Sequence, residues 1–215
     1  MNFSFPCRLY PIVDTLNDPR SSHVELAHAM LSAGAPFLQL RMKGTATRRV
    51  VAVAREVKAL TERHRAQLII NDRPDIAKLI DAAGVHLGQD DLPVAAARQV
   101  LGPDKIIGVS THNLAQAEAA AREGIADYIG FGPIYPTRSK ERADPVRGID
   151  GLRQVRDRVA LPIVAIGGIT AATMGEVLAA GADAVAMISE IVRAPDVGAK
   201  VRALLARHSR IVGRE

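Results

Sequence analysis

The sequence predicts an α/β fold, a (β/α)8 TIM barrel, with residues 1–215 forming a single domain. Three observations predict it. Short aliphatic runs recur eight times, each followed by a stretch with helical apolar periodicity. The repeat is roughly 25 residues, near the size of a minimal βαβ unit. No linker or shift of composition divides the chain. Eight such units close most simply into a barrel, for which about 250 residues is typical, and 215 is slightly short. An open doubly wound sheet is the competing arrangement. It would place a glycine-rich phosphate loop after its first strand, where this chain has "PIVDTLND".

The strands are read from "RLYPIV" (8–13), "FLQLRM" (37–42), "QLIIND" (67–72), "GVHLG" (84–88), "KIIGVS" (105–110), "DYIGFG" (127–132), "PIVAIGG" (162–168) and "DAVAMIS" (183–189). Each is strand-length and largely free of charge, as expected of strands covered on both faces. The helices follow. Residues 21–33 start on a serine cap and end before Gly34. Residues 45–65 carry Val50, Val53, Ala54, Val57 and Leu60 at helical spacing. Residues 74–83 and 93–101 each have a proline in the first turn and a glycine after the end. Residues 113–122 have an Asn cap and Gly124 beyond. Residues 150–158, 170–180 and 195–207 complete the series.

Composition sets the limits. Hydrophobic residues make up 48% and aromatics 3%, with no Trp, which predicts an aliphatic core. The net charge is +5, with basic residues gathered in 48–65, 138–147 and 153–158. No aromatics are interleaved with them, so solvated helix faces and a field attractive to phosphorylated small molecules are expected rather than a nucleic-acid surface. The single cysteine, Cys7, excludes a disulfide within the chain. Arg8 and Asp14 interrupt any signal-like apolar run, and Pro162 and Gly167-Gly168 break the longest uncharged stretch. A cytoplasmic protein with no membrane partner is expected.

In a barrel the chemistry sits at the C-terminal ends of the strands. The residues leaving the strands are rich in Lys, Arg, Asp and Asn: Gln39, Arg41 and Lys43; Asn71 and Asp72; His86 to Asp91; Ser110 to His112; the loop 132–140; Gly167 and Gly168; Ile188 and Ser189. In "LQLRMKG" the alternation puts Gln39, Arg41 and Lys43 on one face of an extended chain. Glycines at 167–168 let a backbone approach an anion, and a phosphate after strands seven and eight is a recurrent barrel feature. Asp72 and the Asp90-Asp91 pair leave adjacent strands, which suits an oxygen-ligand Mg²⁺ site. Capping of the following helix is the other reading of Asp90 and Asp91. The segment "GPIYPTRSKERADPVRG" (132–148) is long for its place, and Thr137, Ser139 and Lys140 suit phosphate.

These motifs, "QLRMK", "IINDRPDIA", "GVHLGQDDLP", "GVSTHN", "GPIYPTRSK", "IVAIGGI" and "GADAVAMIS", in this order, resemble the thiamine-phosphate synthase family along nearly the whole chain. The resemblance implies a barrel enzyme that joins an aminopyrimidinylmethyl diphosphate to a thiazole phosphate and releases pyrophosphate. It implies that Gln39, Arg41, Lys43 and Asn71 hold the pyrimidine diphosphate, and that Asp72 and Asp91 bind Mg²⁺. Ser110 and Lys140 would meet the pyrimidine and its diphosphate, and Thr137, Ser139, Gly168, Ile188 and Ser189 would surround the thiazole phosphate. Arg41, Lys43, Ser110 and Lys140 form the implied catalytic set. The family's Thr-x-Thr-Lys reads Thr137-Arg138-Ser139-Lys140 here, which keeps the hydroxyl. A related thiazole tautomerase carries a histidine where this chain has Pro133. A non-catalytic phosphate-ligand binder is the other alternative. The implied partners are small molecules, and the sequence is compatible with a homo-oligomer.

Overall fold

The structure is a computed structural model that describes residues 3–15, 20–137 and 145–209, with side chains to residue 207. Eight parallel strands are hydrogen-bonded in sequence order, and the last returns to the first, closing the barrel. They are β1 (Leu9–Val13), β2 (Phe37–Leu40), β3 (Gln67–Asn71), β4 (Gly84–Leu87), β5 (Ile106–Thr111), β6 (Tyr128–Phe131), β7 (Ile163–Ile166) and β8 (Ala184–Met187). The helices around them are α1 (His23–Ser32), α2 (Thr47–Arg63), α3 (Pro74–Leu79), α4 (Val94–Leu101), α5 (Leu114–Glu123), α6 (Gly148–Arg158), α7 (Met174–Ala179), α8 (Ser189–Val192) and α9 (Val197–Ser209).

Local chemistry sets the helix ends. Ser22 accepts from the Glu25 amide while the Glu25 carboxylate accepts from the Ser22 amide, a full capping box for α1. Asn113 caps α5, and Gly124 ends it in the left-handed conformation. Three expectations need correction. The helix read at 170–180 begins only at Met174, because the Thr170 amide turns back onto the Thr173 hydroxyl at 3.0 Å. α3 stops at Leu79, before the 83 expected, and Asp81 beyond it has φ 53°, outside the helical region. No side chain caps α4: Pro93 occupies the cap position, and neither Asp90 nor Asp91 accepts a capping hydrogen bond from its first amides.

The expected aliphatic core holds for the layer between strands and helices, and inside the barrel aromatic rings join the aliphatic side chains. Between strands and helices lie Leu38, Leu68, Val85, Ile107, Ile163 and Val185 with Val53, Ala77, Ala97 and Val177 from the helices. The opposite strand face points into the barrel, and there the layer is Tyr10, Phe37, Ile69, Tyr128, Val164 and Ala184. Phe3 and Phe5 pack beneath it, their rings 5.5 and 5.0 Å from Tyr128. Composition counts aromatics but does not say where they gather, and most of the few present fill the barrel interior. Both strand faces are therefore apolar, which explains the unbroken runs in the sequence.

Candidate active site

β2 carries the first set of polar groups from the floor to the rim. Gln39 points inward and is 3% exposed. Two residues on, beyond the strand end, the Arg41 side chain is 18% exposed, and Lys43 beyond it reaches 54%. The alternation read from the sequence thus becomes a ladder of donors climbing out of the barrel. The Arg41 amide extends the pairing with β1 by donating to the Val13 carbonyl at 2.9 Å. Its guanidinium is ion-paired with Asp14, a buried carboxylate one residue past β1. A planar fork held at one edge by a fixed carboxylate keeps its remaining donors oriented.

The second set is acidic. Lys43 Nζ lies 2.6 Å from Asp72 Oδ2. Asp72 follows β3 with φ 63°, a left-handed conformation that costs energy in any residue but glycine and is tolerated best by Asp and Asn. Its carboxyl pKa is raised, first by burial and then by the hydrogen-bonded Asp91 side chain, with Lys43 opposing. Asp91 is held in turn by the Gly88 amide, which donates to its Oδ2 at 2.6 Å. Two carboxylates pressed together against their own repulsion form a hard oxygen pair that a divalent cation would relieve. Among the described residues no group of three or more His, Cys, Asp or Glu is placed to hold a metal ion by itself. The Asp72–Asp91 pair has the chemistry of a Mg²⁺ site, since that ion takes one or two carboxylates and completes its shell with water and phosphate oxygens.

Below this rim lies a cavity of about 990 Å³, measured out to open solvent. Arg41, Asn71, Ser110, Thr137, Ser189 and the Gly167-Gly168 backbone line it, with Ile12, Val164, Ile166 and Met187 as its apolar wall. Of the sequence-predicted residues, Gln39 and Ile188 also face it, while Lys43, Asp72 and Asp91 lie outside the lining. Ser139 and Lys140 lie outside the described residues. Thr111 does not belong to the mouth: it is fully buried, and its hydroxyl donates to the Gly130 carbonyl at 3.0 Å. It alternates with Ser110, so one of the two must face the wall.

Three polar lining residues were given no individual role from the sequence: Tyr10, His86 and His112. Tyr10 and His86 could be found by strand parity, because each sits two residues from an inward neighbour. His86 Nε2 lies 3.0 Å from Ser110 Oγ, and its Nδ1 lies 3.0 Å from the Tyr128 hydroxyl. A serine–histidine pair is thus present, but its third member is a phenol rather than a carboxylate. His112 Nδ1 lies 3.0 Å from the Gly132 carbonyl and steadies the start of the loop after β6.

That loop is seated on β7. The amides of Ile134 and Tyr135 donate to the carbonyls of Ile166 and Gly167, both at 2.9 Å. Gly167 and Gly168 have φ 100° and 64°. A Cβ at 168 would lie 2.5 Å from the Pro136 carbonyl oxygen and 2.7 Å from Tyr135 Cβ. Glycine at 168 is thus required by the loop packed over it, independently of any anion.

The family described as TMP-TENI, thiamine monophosphate synthase, matches residues 9–191. The thiamine-phosphate synthase of Methanospirillum hungatei is 47% identical over 91% of this chain and 95% of its own length. That of Chloroflexus aurantiacus is 47% identical over 93% and 91%. Among solved structures, thiamine phosphate pyrophosphorylase from Pyrococcus furiosus superposes with a TM-score of 0.85 at 35% identity, covering 96% of this chain and 97% of that one. Orotidine 5'-phosphate decarboxylase from Pyrococcus horikoshii, at 12% identity and TM-score 0.67, shares the fold.

Proposed function

The chain belongs to the thiamine monophosphate synthase family, and from that premise we propose how its barrel mouth carries out the transfer. It is a transferase of the pyrimidinylmethyl group. The acceptor is a thiazole phosphate, and the products are thiamine phosphate and pyrophosphate. The observation that carries the reading is the pairing of a cationic ladder, Arg41 and Lys43, with a facing carboxylate pair, Asp72 and Asp91, above a cavity that is largely apolar.

The donor's aminopyrimidine enters the cavity and contacts Gln39, Asn71 and Ser110, and its diphosphate stays at the rim. Arg41 and Lys43 donate to the diphosphate and stabilise the charge that grows on it as the carbon–oxygen bond lengthens. Lys140 joins them from the loop after β6. Asp72 and Asp91 would hold Mg²⁺, which when bound neutralises diphosphate oxygens. The bond breaks towards a pyrimidinylmethyl cation flanked by the cavity wall, and the thiazole nitrogen attacks its methylene carbon. No protein nucleophile is needed, in keeping with a serine–histidine pair that has no third carboxylate. Thr137, Ser139, Gly168, Ile188 and Ser189 surround the phosphate of the thiazole. A thiazole phosphate that still bears its carboxylate loses CO₂ on the way to product.

The metal assignment has a charge-matched test. Asp91→Asn loses most activity at low Mg²⁺ and recovers part of it at high Mg²⁺. Asp90→Asn, an exposed neighbour, keeps the wild-type Mg²⁺ dependence. Initial rates across a Mg²⁺ titration decide it. The same Mg²⁺ dependence in wild type and both variants would remove the metal from the β4 loop.

A further inference from the structure

The ladder between β7 and β8 ends at Ile166 and Ala186. Beyond it the two loops supply Gly167, Gly168, Ile188 and Ser189 to the cavity lining. Among the described residues no backbone hydrogen bond joins 167–173 to 188–193. The side chain of Glu190 bridges them instead. Glu190 follows Ser189 in the first turn of α8. Its Oε1 accepts from the Ala171 amide at 3.3 Å and from Lys200 Nζ at 2.9 Å. Both partners of the ion pair are mostly withdrawn from solvent. Glu190 itself does not line the cavity.

Each bond of this bridge has a local reason. The amides of Thr173 and Met174 donate to the Thr170 carbonyl at 3.2 and 3.0 Å, so the chain turns into α7 from Thr170 onwards. The Ala171 amide falls in that first turn, where amides have no acceptor inside the helix. A carboxylate suits it twice, as an acceptor and as a negative charge at the positive end of a turn. The Ala171 carbonyl accepts in its turn from the Arg207 guanidinium. Lys200 and Arg207 lie about two turns apart on α9. One helix, packed against α1 and α8, therefore holds both the bridging carboxylate and the residue it bonds to. The arrangement also places a negative charge one residue from Ser189. An uncompensated carboxylate there would repel an incoming anion, and Lys200 offsets it.

We propose that Glu190 and Lys200 are positioning residues for the acceptor phosphate. Glu190 ties the β8 loop to the β7 loop and so fixes the gap in which that phosphate is bound. Lys200 holds Glu190 in place and cancels the charge that would oppose binding. The phosphate's place in the gap rests on the transferase reading above; the bridge itself does not. The diphosphate rim is carried by β2, β3 and β4, on the far side of the closed barrel. The bridge therefore serves one substrate and leaves the other alone.

Charge and hydrogen bond are separable by substitution, and steady-state kinetics read them. Glu190→Ala removes the acceptor. It is expected to raise KM for the thiazole phosphate roughly tenfold, the scale of one hydrogen bond to a charged group, with kcat and KM for the pyrimidine diphosphate unchanged. Glu190→Gln keeps an acceptor for Ala171 and is expected to bind the thiazole phosphate at least as well as wild type. Lys200→Met leaves the carboxylate bare and is expected to raise the same KM. Combining Lys200→Met with Glu190→Gln removes that charge and is expected to bring KM back towards the wild-type value. Two merely structural losses would add instead. A double variant as impaired as Lys200→Met alone would overturn the proposal. So would a Glu190→Ala variant that changes KM for both substrates equally or for neither. Calorimetric binding of the thiazole phosphate to the wild type separates the two levels. A wild-type protein that does not bind it would sink the acceptor reading and this role with it. Binding that is the same in wild type and all variants would sink the bridge alone.

Discussion

Arg41 and Asp72 show how much one side chain carries at this mouth. Arg41 is gripped at one edge by Asp14 and presents its other donors to the cavity. A lysine there keeps the charge and loses the fork. Arg41→Lys is expected to lower kcat/KM for the pyrimidine diphosphate by roughly 10- to 100-fold, the scale of one or two charge-assisted hydrogen bonds. Wild-type kinetics in that variant would mean that only the charge matters. Asp72 makes a prediction about stability. Folding raises its pKa through burial and Asp91. The ionised group therefore subtracts from stability above its folded pKa, and the subtraction disappears as pH falls through that value. Asp72→Asn should raise the melting temperature of the metal-free protein at neutral pH, with a gain that shrinks as the medium becomes mildly acidic. A gain that grew on acidification would reverse the sign of the effect. Legibility at this scale was uneven. Arg41, Lys43 and Asp72 stood out as charges at the ends of apolar runs. Asp14 was read only as a charge that interrupts an apolar run, because its partner lies 27 positions along the chain. The roles of Tyr10 and His86 depend on contacts between strands that no local pattern records.

At the scale of elements, the eight strands were readable to within about two residues, because each is apolar on both faces and bounded by polar or glycine residues. α8, with four residues, is too short to have a period. The start of α7 was misread because Thr170 and Thr173 bond to each other before the helix begins. The loop after β6 and the glycines of β7 act as a unit. Valine at 168 would have to adopt φ 64° and push into the Pro136 carbonyl. Gly168→Val is therefore expected to lose about 1–3 kcal/mol to strain, which lowers Tm by roughly 2–12 °C. It should also raise KM for the thiazole phosphate, because the displaced loop carries Thr137. Calorimetry and steady-state kinetics on the same preparation check both. A raised KM at an unchanged Tm would show that the glycine serves the ligand rather than the loop.

For the whole molecule, the barrel divides its labour by height. Aromatic rings gather at the bottom, side-chain hydrogen bonds cross the middle, and charges gather at the top. The expected aliphatic core forms the outer layer and shares the barrel interior with three aromatic rings, Tyr10, Phe37 and Tyr128. The net charge of +5 favours the approach of phosphorylated substrates, and none of the described helices is long and apolar enough to cross a membrane. The central claim is that the rim stabilises a departing diphosphate while the thiazole captures the carbon it leaves. The most direct measurement is continuous pyrophosphate release with the aminopyrimidinylmethyl diphosphate and the thiazole phosphate, together and singly, with and without Mg²⁺. The account predicts release when both substrates and the metal are present, matched one for one by thiamine phosphate, and little with either substrate alone. Equal release from the pyrimidine diphosphate without the thiazole would mean hydrolysis rather than transfer and would contradict it.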